Sequence, residues 1–164
     1  MTDTVIRNAT IIDGTGAPRF DGDVLIEDGH ISEIGDVSPV STTTDIDAAG
    51  LVLAPGFVDV HTHDDGALIN HPDMTFKISQ GCTSVVVGNC GFSAIPAVTG
   101  DNTLDLSEIE ASWNDLNGYR SAVEASNPAV NAMMLVGHNT IRALEMKGER
   151  RPPNDGELAR MQGH

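Results

Sequence analysis

Aromatic residues are scarce in this 164-residue chain: one Trp, one Tyr and four Phe make up 4% of it. The core must therefore lean on Val, Ile, Leu, Ala and Met. Cations are scarce too. Nine Lys plus Arg face 24 Asp plus Glu, a formal net charge of −15. A field of that sign repels phosphates and anionic lipid, which excludes nucleic acid and membrane surfaces as expected partners. Its plain meaning is a solvated acidic surface. No apolar run approaches the ~20 residues of a membrane span. The opening MTDTVIRNAT lacks the apolar segment of a secretory signal. Only two cysteines occur, Cys82 and Cys90. On one strand they would lie roughly 26 Å apart, far beyond the ~7 Å that a disulfide tolerates. Free thiols suit a reducing cytoplasm, the expected location. No glycine-rich phosphate loop follows a strand, and no P-loop lysine is present.

What is there is enough for a packed domain, with 40% hydrophobic residues. Val5, Ile11 and Ile12 mark a first strand. Val24–Glu27, Asp28-Gly29 and His30–Ile34 read as a hairpin, because Asp-Gly supplies the positive φ values of a type I′ turn. Residues 36–48, rich in Ser, Thr, Asp and Pro, read as a polar loop. Residues 50–54 form a short apolar strand punctuated by Pro55-Gly56.

The pattern then changes. Phe57–Val60 reads as a buried strand. Asp73 is a candidate N-cap for a helix over 74–80, with Gly81 at its C-terminal end. Residues 83–88 form the next strand. A helix is expected over 107–126, opened by Ser107 with Glu108 and Glu110 in its first turn. Residues 129–137 form a third strand, and 155–161 begin another helix just before the chain stops. The order β–α–β–α–β–α implies parallel strands with crossover helices. The strands are apolar throughout, as when both faces are covered.

In such folds chemistry gathers at the carboxyl ends of the strands. The first strand ends in His61-Thr62-His63-Asp64-Asp65, the second in Gly88-Asn89-Cys90-Gly91, the third in Gly137-His138-Asn139. On a strand, residues i and i+2 share a face about 6.6 Å apart, so His61 and His63 can converge on one ion with nitrogens near 2.0–2.1 Å. Asp59 is either a carboxylate that orients a ligand or an ordinary strand-end residue. Asp64 and Asp65 begin the loop. Cys90, past its strand and between Asn89 and Gly91, is placed like a ligand thiolate, whereas a lone Cys is more often a small buried hydrophobe. Cys82, at the far end of its strand, is structural. His138 either contacts substrate or bonds a neighbouring loop. His30, His71 and His164 read as surface residues, and Trp113 and Tyr119 as packing on one helix.

The segments "RNATIIDGTG", "VLIEDGHISEIG" and "LVLAPGFVDVHTH", in that order, resemble the N-terminal part of the amidohydrolase superfamily. Within it, "VDVHTHDD", "DMTFKISQGCTSVVVGNCGFS" and "VNAMMLVGHNTIR" resemble the N-acyl-D-amino-acid deacylase (D-aminoacylase) family over essentially the whole chain. "GNCG" separates that family from relatives that carry a carboxylated lysine. The resemblance implies an α/β chain: residues 1–50 as the N-terminal part of a small β-sandwich, and residues 51–164 as the first strands and helices of a metal-dependent (β/α)8 barrel.

It further implies Zn2+ as cofactor and His61, His63 and Cys90 as metal residues. The counterpart of Cys90 ligates a tightly held zinc, and those of His61 and His63 a second, weaker position. A general acid/base aspartate and further histidines are expected beyond residue 164, so these residues alone are expected to be inactive. The implied reaction is metal-assisted hydrolysis of small N-acyl-D-amino acids to a D-amino acid and a carboxylate. Competing expectations are a cyclic-amide hydrolase of the dihydroorotase or hydantoinase kind, against which "GNCG" argues, and a non-catalytic metal-binding fragment.

Overall fold

The computed structural model describes residues 3–38, 41, 44–97 and 113–164. Two compact units divide the chain, Met1–Pro55 and Gly56–His164. No helix among the described residues is long and apolar enough to cross a membrane.

The first unit is a single sheet of β1 (Thr4–Ile11), β2 (Phe20–Glu27), β3 (His30–Gly35), β4 (Thr44–Asp47) and β5 (Val52–Leu53). The order is β3-β2-β1-β4, with β5 also on β1. β1, β2 and β3 run antiparallel in sequence, while β4 and β5 lie parallel to β1. The β2–β3 turn is as expected: Asp28 and Gly29 both have positive φ, 50° and 79°, so the turn twists with the strands it joins. β1 carries a bulge between Ile6 and Ala9, where Asn8 turns to φ 59° and donates to Asp47 (3.0 Å).

The polar loop expected over 36–48 is corrected at its end, which is strand β4. Its alternation is too short to read. It exists because β1 offers a free edge and because Arg7 reaches Asp45 at 3.2 Å. Ala9, Ile11, Val24 and Ala48 form one small core, and Val5, Leu25 and Val37 another. β5 bonds to β1, so the strand at 50–54 completes this sheet.

The second unit contains β6 (Phe57–Asp59), α1 (Ala67–Asn70), α2 (Thr75–Ile78), β7 (Cys82–Val87), a 3₁₀ turn at Asn89–Gly91, α3 (Leu116–Ser126), β8 (Asn131–Met134), α4 (His138–Met146) and α5 (Asp155–Met161). The strands form a parallel sheet in the order β6-β7-β8. Val85 and Val87 of β7 point into a core with Leu68, Met74, Trp113, Tyr119, Val123 and Val130.

Several boundaries differ from expectation. Asp73 does not cap α2. Met74 does, in a left-handed conformation without a side-chain bond, while Asp73 accepts from the Thr75 hydroxyl at 2.7 Å. Residues 107–112, with Ser107, Glu108 and Glu110, lie outside the described residues. The described helix α3 is capped by Asp115, which accepts from Gly118 N, so Trp113 precedes the helix instead of sharing it with Tyr119. The third strand, β8, ends at Met134 instead of residue 137, and α4, which starts at His138, was not read from the sequence.

The strands are not covered on both faces. Phe57, Val58, Val60, Met133, Leu135 and Val136 are exposed. β7 buries Val85 and Val87 on the face that meets the helices, β8 half-buries Ala132 and Met134 there, and β6 buries no residue. The opposite face is the one that a closed barrel fills with layered side chains.

Candidate metal centre

β6 ends at Asp59, but its ladder does not. Thr62 N donates to Val86 O at 3.1 Å, and Thr62 is buried. Its hydroxyl accepts from Asp64 N at 3.1 Å. Fixing Thr62 inward turns its neighbours outward, and both His61 and His63 are exposed. The histidines therefore do not sit on the strand, as the i, i+2 spacing suggested, but in the loop just after it. Their rings still meet, with centroids 5.9 Å apart at 67°.

Cys90 arrives from the next strand exit. Gly88, Cys90 and Gly91 all have positive φ, 82°, 55° and 81°. A side chain at Cys90 in this conformation costs on the order of 1 kcal/mol. The turn is held by Asn89, whose amide donates to Val86 O (2.8 Å) and Thr62 O (3.3 Å). Gly88 is required by close approach as well as by φ, since a Cβ there would lie 2.2 Å from Leu135 O. From the third exit, Asn139 Nδ2 donates to Cys90 O at 3.3 Å.

The result is a cluster. His61 Nε2 lies 3.1 Å from Cys90 Sγ, and one donor atom from each of His61, His63 and Cys90 falls within 4.8 Å of the others. Tetrahedral zinc, with Zn–N near 2.0–2.1 Å and Zn–S near 2.3 Å, holds such donors about 3.4–3.6 Å apart. The observed separations bracket that value, so the residues fit the ion with small side-chain movements. Nitrogen and thiolate donors are also the set that zinc prefers. His138, exposed in the first turn of α4, is not one of the gathered donors.

A supporting layer surrounds the cluster. Lys77 of α2 bridges the loop, with Nζ 2.8 Å from Asp59 Oδ2 and 2.9 Å from Asp64 Oδ2. Asp64 Oδ2 is buried and accepts no hydrogen bond of good geometry, so the ammonium is its compensation. The hydrogen bond from Lys77, then that from His61 N, lowers the Asp59 carboxyl below its usual range. Burial opposes the Lys77 charge, but the hydrogen bond to Asp59 and the close carboxylate of Asp64 outweigh it and raise the ammonium above its usual value. Asp59 thus anchors the histidine loop through Lys77.

Asp65 does more than begin that loop. It is buried, its oxygens accept from Gly88 N and Ala94 N, and burial pushes its carboxyl upward. Trp113 and Tyr119 are packing residues as expected, ring centroids 5.4 Å apart. Asn139 was named in the sequence beside His138 at the third strand exit, whereas Lys77 was not singled out. A signal for Lys77 was present: it is the one Lys or Arg between Arg19 and Arg120.

A parallel βα sheet with two imidazoles and a thiol at its strand exits has the form of the opening units of a metal-binding (β/α)8 barrel. Residues 45–163 match the amidohydrolase family model, and the chain belongs to that family. It is 42% identical over 163 residues to the D-aminoacylase of Alcaligenes xylosoxydans xylosoxydans, covering 97% of this chain and 34% of that protein. The N-acyl-D-aspartate deacylase of the same organism is 42% identical over 165 residues, covering 98% and 33%.

A crystal structure of N-acyl-D-glutamate deacylase from Bordetella bronchiseptica, complexed with zinc and a phosphonate mimic of the tetrahedral intermediate, superposes with a TM-score of 0.89 at 41% identity. The match covers 99% of this chain and 35% of that one. The chain thus spans about a third of the length of the relatives it matches. Its fold is the N-terminal part of a β-sandwich followed by the first βα units of the barrel.

Proposed function

We propose that this chain carries part of the metal site of a zinc-dependent deacylase, which hydrolyses the amide of N-acyl-D-amino acids to a D-amino acid and a carboxylate. The observation that carries this is the convergence of His61, His63 and Cys90 within 4.8 Å. The relatives named for deacylation of D-amino-acid derivatives support it.

Of the two metal positions that the resemblance implies, Cys90 would hold the tightly bound zinc, and His61 and His63, gathered beside it, the weaker one. When bound, zinc supplies Lewis acidity toward a water and the acyl carbonyl. The chain's own residues fix where that happens. Thr62 directs the imidazoles outward, Asn89 and Asn139 hold the Cys90 turn, and Lys77 holds the acidic ends of the histidine loop. The sandwich part, expected to end at residue 50 but carrying β5 as well, and the barrel part from Gly56 onward would divide the labour, with all three donors in the second. Free Cys82 and Cys90 fit a reducing cytoplasm. The net charge of −15 fits a small-molecule substrate better than nucleic acid or an anionic membrane.

The test is a paired measurement on the full chain: zinc content and hydrolysis of N-acetyl-D-amino acids against their L-enantiomers. Cys90→Ala is expected to lose bound zinc together with D-selective hydrolysis. Parental activity in Cys90→Ala would remove the proposal. Turnover of a hydantoin in place of the linear amides would move it to cyclic substrates.

A further inference from the structure

Asp65 is 1% exposed, yet no cation is its partner among the described residues' ion pairs. Its two oxygens instead divide between two backbone donors. Oδ2 accepts from Gly88 N at 3.3 Å and Oδ1 from Ala94 N at 3.1 Å. Gly88 and Ala94 are the two feet of the loop that presents Cys90. The main chain of Asp65 is gripped in turn: Tyr119 OH donates to its carbonyl at 2.8 Å. Trp113 Nε1 donates to Ala94 O at 2.8 Å, which locks the second foot from the other side. Asp65 stands two residues after His63. One buried side chain therefore links the histidine loop to both ends of the cysteine loop.

We propose that Asp65 is a positioning residue, held by Tyr119, that sets the separation between the His61/His63 pair and the Cys90 sulfur. This deepens the proposed function and rests on its assignment of those three residues to the metal. The chemistry explains why a carboxylate stands here. Two inward-facing N–H groups need two acceptors and no donor. An ionised carboxylate offers that. An asparagine of the same shape would turn its amide hydrogens on one of the two donors, release one foot of the loop, and leave a buried N–H unpaired.

Cobalt(II) is the probe, because a thiolate ligand gives it a charge-transfer band in the near ultraviolet that imidazoles do not give. In the full chain the parent is expected to show the band. Asp65→Asn is expected to lose most of it and to bind cobalt about 10- to 100-fold more weakly, the range for residues that orient metal ligands. Val123→Ala, which loosens the same core but removes no hydrogen bond to either loop, separates positioning from general destabilisation and is expected to keep the band. If Asp65→Asn does not fold, Tyr119→Phe decides: removing the hydroxyl that grips Asp65 is expected to weaken the band and cobalt affinity in the same direction. A parent band that persists unchanged in Asp65→Asn, or in Tyr119→Phe where that variant decides, overturns the inference alone. Equal losses in Asp65→Asn and Val123→Ala overturn it as well. A parent without the band removes Cys90 as a ligand, and with it both the proposed function and this inference.

Discussion

Replacing Lys77 with Met is a sharp test of how the histidine loop is held. Methionine keeps the apolar stem that the lysine buries and removes only the ammonium. Two carboxylates lose their partner, one 2.8 Å and one 2.9 Å away. Their settings differ. The Asp59 side chain is 34% exposed and water can take over, as in surface pairs worth about 0–1 kcal/mol. The Asp64 side chain is 17% exposed, and its Oδ2 has no other partner. Breaking a fully buried pair costs about 3–5 kcal/mol. An intermediate site should cost less, which brings the expected total to about 2 kcal/mol. For a chain of this size that lowers the thermal midpoint by about 4–8 °C. Differential scanning calorimetry of the full chain at pH 7 measures it. The cause can be isolated: Asp64→Asn in the Lys77→Met background removes the uncompensated charge and should recover most of the loss. A midpoint within about 1 °C of the parent, or no recovery in the double variant, would refute the idea that the loop is held electrostatically.

Two further outcomes follow from packing and titration. A Cβ at Gly137 would lie 2.3 Å from Gly91 O, so Gly137→Ala must push the second and third strand exits apart. It should cost about 1–3 kcal/mol in urea unfolding and weaken metal binding, whereas Gly148→Ala, in open space, should show only local backbone strain and leave metal binding intact. Glu157 is held at about 2, below its ordinary value of 4.5, by the hydrogen bonds from Arg151 and then from Asn154 N. A carboxyl depressed on folding adds stability that is full above its unfolded value and drains away as pH falls toward the folded one. The stability gap between parent and Glu157→Gln should therefore be widest above pH ~5 and close between pH ~4.5 and ~2. A gap that stays constant over that window would show that Glu157 acts through shape alone.

The parts of this structure that were legible in the sequence are local. Asp28-Gly29 announces its own turn, because few dipeptides fit two positive φ values so cheaply. The alternation of apolar runs with helical stretches announces parallel strands, and parallel strands announce where donors gather. Strand β4 was hidden because four residues with one apolar side chain carry no periodicity. Only the edge of β1 makes them a strand. Helix α4 was hidden because the apolar run before it, Met133–Val136, reads on into Gly137 as a continuing strand. The cap of α2 was misplaced by one residue because Asp73 spends its carboxylate on the Thr75 hydroxyl. The pair His61 and His63 was found for a reason that proved incomplete: strand spacing suggested convergence, but the anchoring of Thr62 produces it.

Distances between strand exits belong to no single stretch of sequence. Gly88 approaches Leu135 O, and Gly137 approaches Gly91 O, so the second and third exits mesh backbone against backbone. Ser93 N donates to the Thr140 hydroxyl at 2.9 Å, and Gly137 N donates to Ser93 Oγ at 2.8 Å. These contacts are buried, so each unmade bond would carry a desolvation cost. The Cys90 turn is therefore confined by the α4 entrance on one side and by Asp65 on the other. A left-handed cysteine persists only when its surroundings over-determine it, and here they do. The same confinement holds the sulfur 3.1 Å from His61 Nε2. Under the proposed metal role, a donor set assembled before any ion arrives pays less ordering entropy on binding than one assembled by it, which would be the physical use of so much structure around one exposed thiol.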